Sequence, residues 1–182
     1  NYYSNGEKSD YIEYQNGTPN GLWEKWNRKG IKVIEGHYFQ GKKDGYFRYW
    51  SQDGVPTSEG PLRAEERSGP WSFFDRGGTL KSKLQFKAGE KDGKAETFHQ
   101  NGNLASSGSY AKNKPDGLWT YYTREGRLEK RGHFALGKKV GEWQELNAKG
   151  NVVSTKQLKP ADDPNASKHK GIIDTQNGFM QM

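Results

Sequence analysis

Apolar and polar positions along the chain recur in units of 24 residues. Each unit contains two short segments that bear aromatic or β-branched residues, and a break that contains glycine separates them. In the first unit the segments are residues 22–26 and 33–38, and the break is residues 27–30. This composition between turn residues predicts two β-strands joined as a hairpin. In no segment do apolar residues recur with helical spacing over the length of a helix, so the chain is predicted to be all-β.

Two series of glycines fix the register of the repeat. One glycine opens each unit and a second follows nine positions later, without any insertion along the chain. The opening glycines are Gly21, Gly45, Gly69, Gly93, Gly117 and Gly141, and the second series is Gly30, Gly54, Gly78, Gly102, Gly126 and Gly150. Gly6 continues the second series backwards and marks an N-terminal partial unit. We therefore predict an elongated, twisted antiparallel sheet of stacked β-hairpins over residues 1–158, with six units and a partial one.

Large apolar side chains recur two and seventeen positions after the opening glycine. They are Trp23, Phe47, Trp71, Trp119 and Trp143 at the first position, and Tyr38, Leu62, Phe86, Tyr110, Phe134 and Leu158 at the second. Pairing of the strands around the break would place Trp23 opposite Gly36 and Trp119 opposite Gly132. Because a ring can cover a glycine on a neighbouring strand, we predict that these rings form the core face. The same face is expected to include Leu80, Leu104, Leu128 and Val152.

Two departures from the repeat concern the core positions. Ala95 stands where the other units have an aromatic residue, and Leu84 stands where most have a glycine. We interpret both as sequence drift, with a local bend or a partner contact as the alternative.

A second aromatic series lies five positions after the opening glycine. Its members are Trp26, Trp50, Phe74, Phe98 and Tyr122. Alternation places them on the face opposite the core rings, among charged residues, and they would recur every ~10 Å along the sheet. We predict that this stripe is a candidate binding surface. In the alternative interpretation these rings pack on one another and on the stems of long charged side chains.

Basic residues recur at one position of the turns between units. They are Lys43, Arg67, Lys91 and Lys139, and Pro115 interrupts the series. In a stacked array they would form a basic edge able to meet phosphates of lipid, teichoic acid or nucleic acid. The chain as a whole carries a net charge of +7, although acidic neighbours such as Asp44 and Asp92 dilute the field of this edge. Solvated turn residues are the alternative.

Few residues offer chemistry. The chain has no cysteine, which excludes disulfide scaffolds and thiolate sites. None of its 4 histidines has metal-ligand spacing to another, and no nucleotide-binding or nucleophile motif is present. We therefore expect no catalytic residue, no cofactor and no metal site. Only 30% of residues are hydrophobic, but 13% are aromatic, which favours a folded chain, and no apolar run predicts a transmembrane segment.

Residues 117–128, with the sequence GLWTYYTREGRL, resemble the variant MORN repeat. Residues 137–143 are similar to the junction between such repeats, and the pattern recurs in residues 21–50, so the resemblance covers roughly residues 1–158. It implies hairpins stacked into an elongated, twisted antiparallel sheet without a catalytic motif. In bacteria such proteins are often placed in a YwqK-type antitoxin group, and other MORN proteins are scaffolds or are linked to anionic lipid.

These observations favour a non-enzymatic repeat scaffold that binds another macromolecule, and a protein is the expected partner. The alternatives are cell-wall glycan or peptidoglycan recognition through the stripe, an antitoxin-like neutralising role, and contact with anionic lipid through the turn lysines. Mixed charges beside the rings make nucleic acid an unlikely partner. Residues 159–182 leave the repeat and are expected to form a cap or a docking peptide. The lack of cysteine, the abundant Trp and Tyr, and a first residue other than Met favour a bacterial envelope protein without its leader over a cytoplasmic one.

Overall fold

A computed structural model describes residues 1–158, and the predicted cap or docking peptide at 159–182 lies outside the described residues. Every regular element within the described range is a β-strand. The strands are β1 (Asp10–Gln15), β2 (Thr18–Trp26), β3 (Lys32–Phe39), β4 (Lys42–Lys43), β5 (Gly45–Trp50), β6 (Pro56–Arg63), β7 (Glu66–Arg67), β8 (Gly69–Phe74), β9 (Leu80–Lys87), β10 (Glu90–Phe98), β11 (Leu104–Ala111), β12 (Lys114–Tyr122), β13 (Leu128–Ala135), β14 (Lys138–Leu146) and β15 (Val152–Leu158).

All of these strands belong to one open antiparallel sheet. Its order follows the chain as β1-β2-β3-β5-β6-β8-β9-β10-β11-β12-β13-β14-β15, while β4 pairs with β3 and β7 pairs with β6. Since neighbours in sequence are neighbours in the sheet, each hairpin contacts only the hairpins before and after it. Thirteen strands in succession extend roughly 60 Å at the usual strand spacing. The predicted all-β sheet of stacked hairpins is confirmed.

The turn at the second glycine has the geometry that its residues require. In the first unit the Asn27 N–H donates to the Ile31 carbonyl at 2.9 Å, and the Gly30 N–H donates to the Asn27 carbonyl at 3.0 Å. The Asn27 side chain accepts the Lys29 and Ile31 N–H groups at 2.9 and 3.1 Å. Gly30 has φ +75°, a conformation that a Cβ would strain. Asp75 accepts the equivalent N–H groups in the third unit, so one short polar side chain closes the loop.

The turns between units hold neighbouring hairpins together. Gln40 and Gly41 both have positive φ, at 48° and 80°, as the type I′ hairpin turn requires. The Gly41 N–H donates to the Pro19 carbonyl of the preceding unit at 2.8 Å. The equivalent bonds run from Glu65 to Lys43, Gly89 to Arg67, Asn113 to Lys91 and Gly137 to Pro115, at 2.8 to 2.9 Å. Because the accepting position contributes its carbonyl to this bond, proline is tolerated there in two units.

The predicted strand register is confirmed, but the ring that covers each glycine differs from the predicted one. Trp23 pairs with Gly36, and Trp119 pairs with Gly132. A Cβ added to Gly36 would lie 2.2 Å from the ring of Phe47, which belongs to the next unit and not to the same hairpin. The same relation joins Gly60 to Trp71, Gly108 to Trp119 and Gly132 to Trp143, at 2.5, 2.3 and 2.2 Å. At these four junctions each unit therefore closes over the glycine of the unit before it.

The tryptophans at these positions also satisfy a backbone acceptor. The indole N–H of Trp71 donates to the Pro61 carbonyl at 2.8 Å, and that of Trp119 donates to the Ser109 carbonyl at 3.1 Å. Trp143 does the same at 3.2 Å to the carbonyl of His133. In each unit the acceptor is the residue that follows the covered glycine. One side chain thus supplies both packing and a hydrogen bond between units.

The large rings at this repeat position share what we call the ring face, which carries Trp23, Phe47, Trp71, Trp119 and Trp143. Their contacts form two runs, one on each side of Ala95. Tyr49 lies between Phe47 and Trp71 with ring centroids 6.1 and 6.2 Å away, and Tyr121 lies between Trp119 and Trp143 at 6.3 and 6.2 Å. Phe47 and Trp71 are the most deeply buried large side chains among the described residues. Tyr49, Phe73 and Tyr121, which sequence alternation did not single out, thus belong to the packing of this face.

The interpretation of Leu84 and Ala95 as drift is replaced by a packing explanation. The two residues are direct cross-strand partners. Ala95 is 1% exposed, and Leu84 packs against the core cluster that contains Phe86. At the equivalent junctions, such as that of Gly60 and Trp71, a large ring lies over a glycine. Here the small Ala95 stands at the ring position and the larger Leu84 stands at the glycine position. The volumes are exchanged between the two strands, so the site stays filled.

This exchange predicts strong coupling between two substitutions. A95W should lower the Tm by several degrees, because its ring needs the space that Leu84 fills and overpacking costs about 1–3 kcal/mol. L84G should also destabilise the sheet, because it leaves a cavity beside Ala95. The double variant L84G/A95W recreates the arrangement of Gly60 and Trp71 and should recover most of the loss. Thermal unfolding followed by circular dichroism checks this, and additive losses would contradict it.

Candidate binding surfaces

The predicted stripe residues lie half-buried on the face opposite the ring face. Within residues 1–158, no two of these rings contact each other, so they do not form a packed series like that of the ring face. Trp26 is covered by cations instead, with the Lys8 and Lys32 ammonium groups 4.6 and 5.8 Å from its ring centroid. One part of the alternative interpretation, contact with charged side chains, therefore applies to Trp26. The other part, packing of the stripe rings on one another, is not found within residues 1–158.

Each ring of the stripe has a cross-strand partner next to a β-bulge. The pairs are Trp26 with Lys32, Trp50 with Pro56, Phe74 with Leu80, Phe98 with Leu104, Tyr122 with Leu128, and Leu146 with Val152. The partner position lies on the same face as the stripe, because the ammonium group of Lys32, the first such partner, lies over the Trp26 ring. Leu80, Leu104, Leu128 and Val152 were expected on the ring face, and that expectation is wrong. The bulge adds one residue to the second strand and reverses the alternation beyond it.

From the second unit onwards these pairs form an apolar band. It consists of Trp50, Pro56, Phe74, Leu80, Phe98, Leu104, Tyr122, Leu128, Leu146 and Val152. All ten side chains are half-buried or exposed. The first and last of its five units are four repeat steps apart, which at two strand spacings a step gives a distance of roughly 40 Å. The stripe predicted from sequence is therefore one column of a surface two columns wide.

Charged side chains beside the first part of the band neutralise one another. Lys32 forms ion pairs with Glu24 and, at 2.9 Å, with Glu35. Arg48 continues the chain of ion pairs to Glu35 at 3.1 Å and to Glu59 at 3.5 Å. Hydrogen bonds from Lys32 and then Arg48 hold the pKa of the Glu35 carboxyl below its usual value. The hydrogen bond to Glu24, followed by that to Glu35, raises the pKa of the Lys32 ammonium group.

The residues of the predicted basic edge lie over aromatic rings of the ring face. The Lys43 ammonium group is 4.8 Å from the Trp23 ring centroid, and Lys91 is 5.2 Å from that of Tyr110. Lys139 lies 4.4 Å from the ring of Trp143. The Arg67 guanidinium group faces three rings, those of Trp71, Phe73 and Phe86, at 4.8, 5.3 and 5.4 Å. The structure thus combines the basic edge with the core rings through cation–π contacts.

The described residues bring no other reactive groups together. Among residues 1–158 no cluster of three or more His, Asp or Glu side chains is placed to hold a metal ion. The His99 imidazole forms a hydrogen bond to the Tyr122 carbonyl at 2.8 Å and so links two successive hairpins. None of the described residues forms a helix of the length and apolar character needed to cross a membrane.

Comparison with known proteins addresses the family of this repeat. The MORN repeat variant family matches the chain twice, at residues 67–88 and 91–112. The chain therefore contains MORN-type repeats. The two matches begin 24 residues apart, which is the period of the whole array. MORN repeats commonly act as protein-binding or membrane-binding modules, and the family is generally non-enzymatic.

Other comparisons add little to this assignment. No curated protein compared with the chain matches it significantly. Solved structures that match include the GtfA/B complex bound to UDP and GlcNAc, which is 8% identical, with coverage of 92% of this chain and 30% of that chain and a TM-score of 0.22. The MORN-repeat chain thus spans less than a third of that structure's chain, and a likeness at this level carries no argument.

The ion pairs beside the apolar band predict a pH-dependent contribution to stability. Because the folded state lowers the pKa of Glu35, its contribution is present above the ordinary carboxyl pKa of 4.5 and is lost as pH falls below it. E35Q should therefore lower the Tm by about 1–3 °C at pH 7, as expected for a partly exposed ion pair. The difference from the wild type should vanish near pH 3.

The matched control is E129Q, which makes the same charge change at an exposed glutamate for which no ion pair is found within residues 1–158. Its Tm should stay close to that of the wild type at both pH values. An E35Q effect that persists undiminished at low pH would show that the ion pairs are not its cause.

Proposed function

We propose that this MORN-repeat array is a non-enzymatic scaffold that binds a protein partner through the apolar band. The observation that supports this most directly is the pairing of each aromatic residue from Trp50 to Tyr122 with an apolar neighbour across the strand. A half-exposed apolar surface that runs through five units is a feature of protein-binding sites. Its length suits an elongated partner that contacts several units at once.

The surroundings of the band support the same function. Tyr46 and Leu118 are 47% and 49% exposed and extend the apolar surface in their units. The ion pairs of Lys32 and Arg48 neutralise the adjacent charges, so a partner would not have to leave an unpaired charge at the margin. An apolar centre with a polar margin is the usual composition of a protein interface. An antitoxin-like neutralising role, as the YwqK-type resemblance implies, would be one form of such binding.

A second candidate function is recognition of a cell-wall glycan. It is favoured by the separation of the stripe rings, which stand singly about two strand spacings apart, so that each could stack on a different sugar. On this hypothesis Trp50, Phe74 and Tyr122 act as independent platforms, and their apolar partners across the strand have no direct role.

Site-specific photo-crosslinking can test the protein-binding function. p-Benzoylphenylalanine keeps the phenyl ring of Phe74 or Phe98 and adds a benzoyl group, which a half-buried position on the surface can direct into solvent. The array should therefore fold and crosslink to the same protein from both positions in cells of the native source. The control is the same replacement at Phe39, which is 58% exposed but lies outside the band. Equal crosslinking from Phe39, or no protein product from the two band positions, would contradict the proposal.

The glycan alternative has a separate readout. If glycan recognition is the function, W50A and Y122A should each reduce co-sedimentation with insoluble peptidoglycan severalfold, whereas L104A should leave it unchanged. On the protein-binding hypothesis, L104A should weaken capture of the crosslinked protein as much as Y122A does, because both side chains belong to the band.

A further inference from the structure

The cations beside the apolar band have carboxylate partners, whereas those of the basic edge have none within residues 1–158. Beside the apolar band, Lys32 and Arg48 are neutralised by glutamates. Within residues 1–158, by contrast, no carboxylate forms an ion pair with Lys43, Arg67, Lys91 or Lys139. No direct ion pair therefore neutralises the cations of the basic edge, and they are available to an anionic ligand, although acidic residues such as Asp44 and Asp92 are adjacent to them in sequence.

The rings hold these cations in defined positions. Arg67 lies over three rings, and Lys43 and Lys91 each lie over one. An ammonium or guanidinium group that faces a ring on one side still presents N–H donors on the other side. The backbone is fixed as well, because the carbonyls of these three residues accept turn N–H groups from the next unit at 2.8 to 2.9 Å. Side chains that are already held in place lose less entropy when they bind a ligand.

The spacing of the basic edge suits one backbone conformation. The backbones of successive members are one unit apart, which is two strand spacings, or roughly 9.6 Å. A polyproline II helix advances ~3.1 Å per residue with three residues per turn, so every third side chain points the same way after ~9.3 Å. In a β-strand, by comparison, the third side chain along points to the opposite face. A carboxylate at every third residue of a polyproline II segment would therefore meet Lys43, Arg67 and Lys91 in turn.

The surface between the cations also fits such a segment. Tyr49 and Phe73 are half-buried on the ring face, in the units that carry Arg67 and Lys91. Grooves lined by aromatic rings are a common docking surface for polyproline II segments. Beyond Lys91 the series is interrupted by Pro115, so the three consecutive cations define the extent of the site.

We propose that Lys43, Arg67 and Lys91 bind an acidic peptide segment in the polyproline II conformation, with a carboxylate at every third residue. The inference rests on the proposed function only in that this segment belongs to a protein partner. It assigns that segment to the ring face, whereas the apolar band lies on the opposite face.

Fluorescence anisotropy with synthetic peptides tests this assignment. The probe is a labelled peptide of four Glu-Pro-Pro triplets, and the comparison peptide has the same composition with its four glutamates grouped at one end. The wild-type chain should bind the first peptide more tightly, with an affinity that falls as salt rises. The variant K43Q/R67Q/K91Q should lose about tenfold or more in affinity, as expected for three partly exposed ion pairs.

The matched control is K42Q/K114Q/K138Q, which removes the same charge from the repeat position directly before the basic edge. It should bind the triplet peptide nearly as the wild type does, and R67K should retain most of the affinity because it keeps the charge. Thermal unfolding of each variant verifies that the sheet is intact. Equal binding of the two peptides, or equal losses in the two triple variants, would overturn the proposal.

Two further ligands identify the class of anion. Single-stranded oligonucleotides and phosphatidylserine vesicles should bind more weakly than the triplet peptide at the same salt concentration, and tighter binding of either would overturn the choice of an acidic peptide. Crosslinking from Phe74 and Phe98 does not involve the basic edge. Failure of the peptide test therefore leaves the protein-binding function standing, and failure of the crosslinking test leaves the peptide site to be judged by its own measurements.

Discussion

The contact on which the sheet depends is the placement of a ring from one unit over the glycine of the unit before it. A single β-hairpin has too little apolar surface to be stable alone, and a one-layer sheet has no second layer to supply more. Here the cover comes from the neighbouring unit, since a Cβ at Gly36 or Gly132 would lie inside the ring of Phe47 or Trp143. Stability is therefore a property of the junctions between units.

Much of this fold follows from the sequence because the repeat is uninterrupted. The spacing of the glycines is enough to locate the turns, and the two segments of each unit then fix the strand register of pairs such as Trp23 with Gly36. The identity of the covering ring could not be obtained in this way. Strand pairing defines which residues are opposite, whereas the direction in which a ring leans depends on the twist of the sheet and on the space beside it.

The candidate site was predicted less completely, for a local reason. A bulge near the start of each second strand reverses the alternation, so Leu80 and Leu104 moved from their expected face to the side of the stripe. Alternation alone carries no sign of a bulge. The basic edge was located by its repeat position, but its contact with the rings of Trp23 and Trp143 depends on side-chain reach across the sheet. The two faces consequently differ in a way that the overall composition does not show. The face with the apolar band has charges that form ion pairs, whereas the ring face adjoins the basic edge, whose cations have no carboxylate partner within residues 1–158.

The pairing of Leu84 with Ala95 has a mechanical consequence. At this junction a leucine–alanine contact replaces the ring over glycine, and Ala95 has no indole N–H to bridge the two units. A hydrogen bond of 2.7 Å between Thr97 and Ser106 stands where other units have a ring, and it lies within the following hairpin. Under tension applied along the array, we expect this junction to resist through its five backbone pairs and the leucine–alanine contact, without a ring or an indole hydrogen bond from the next unit.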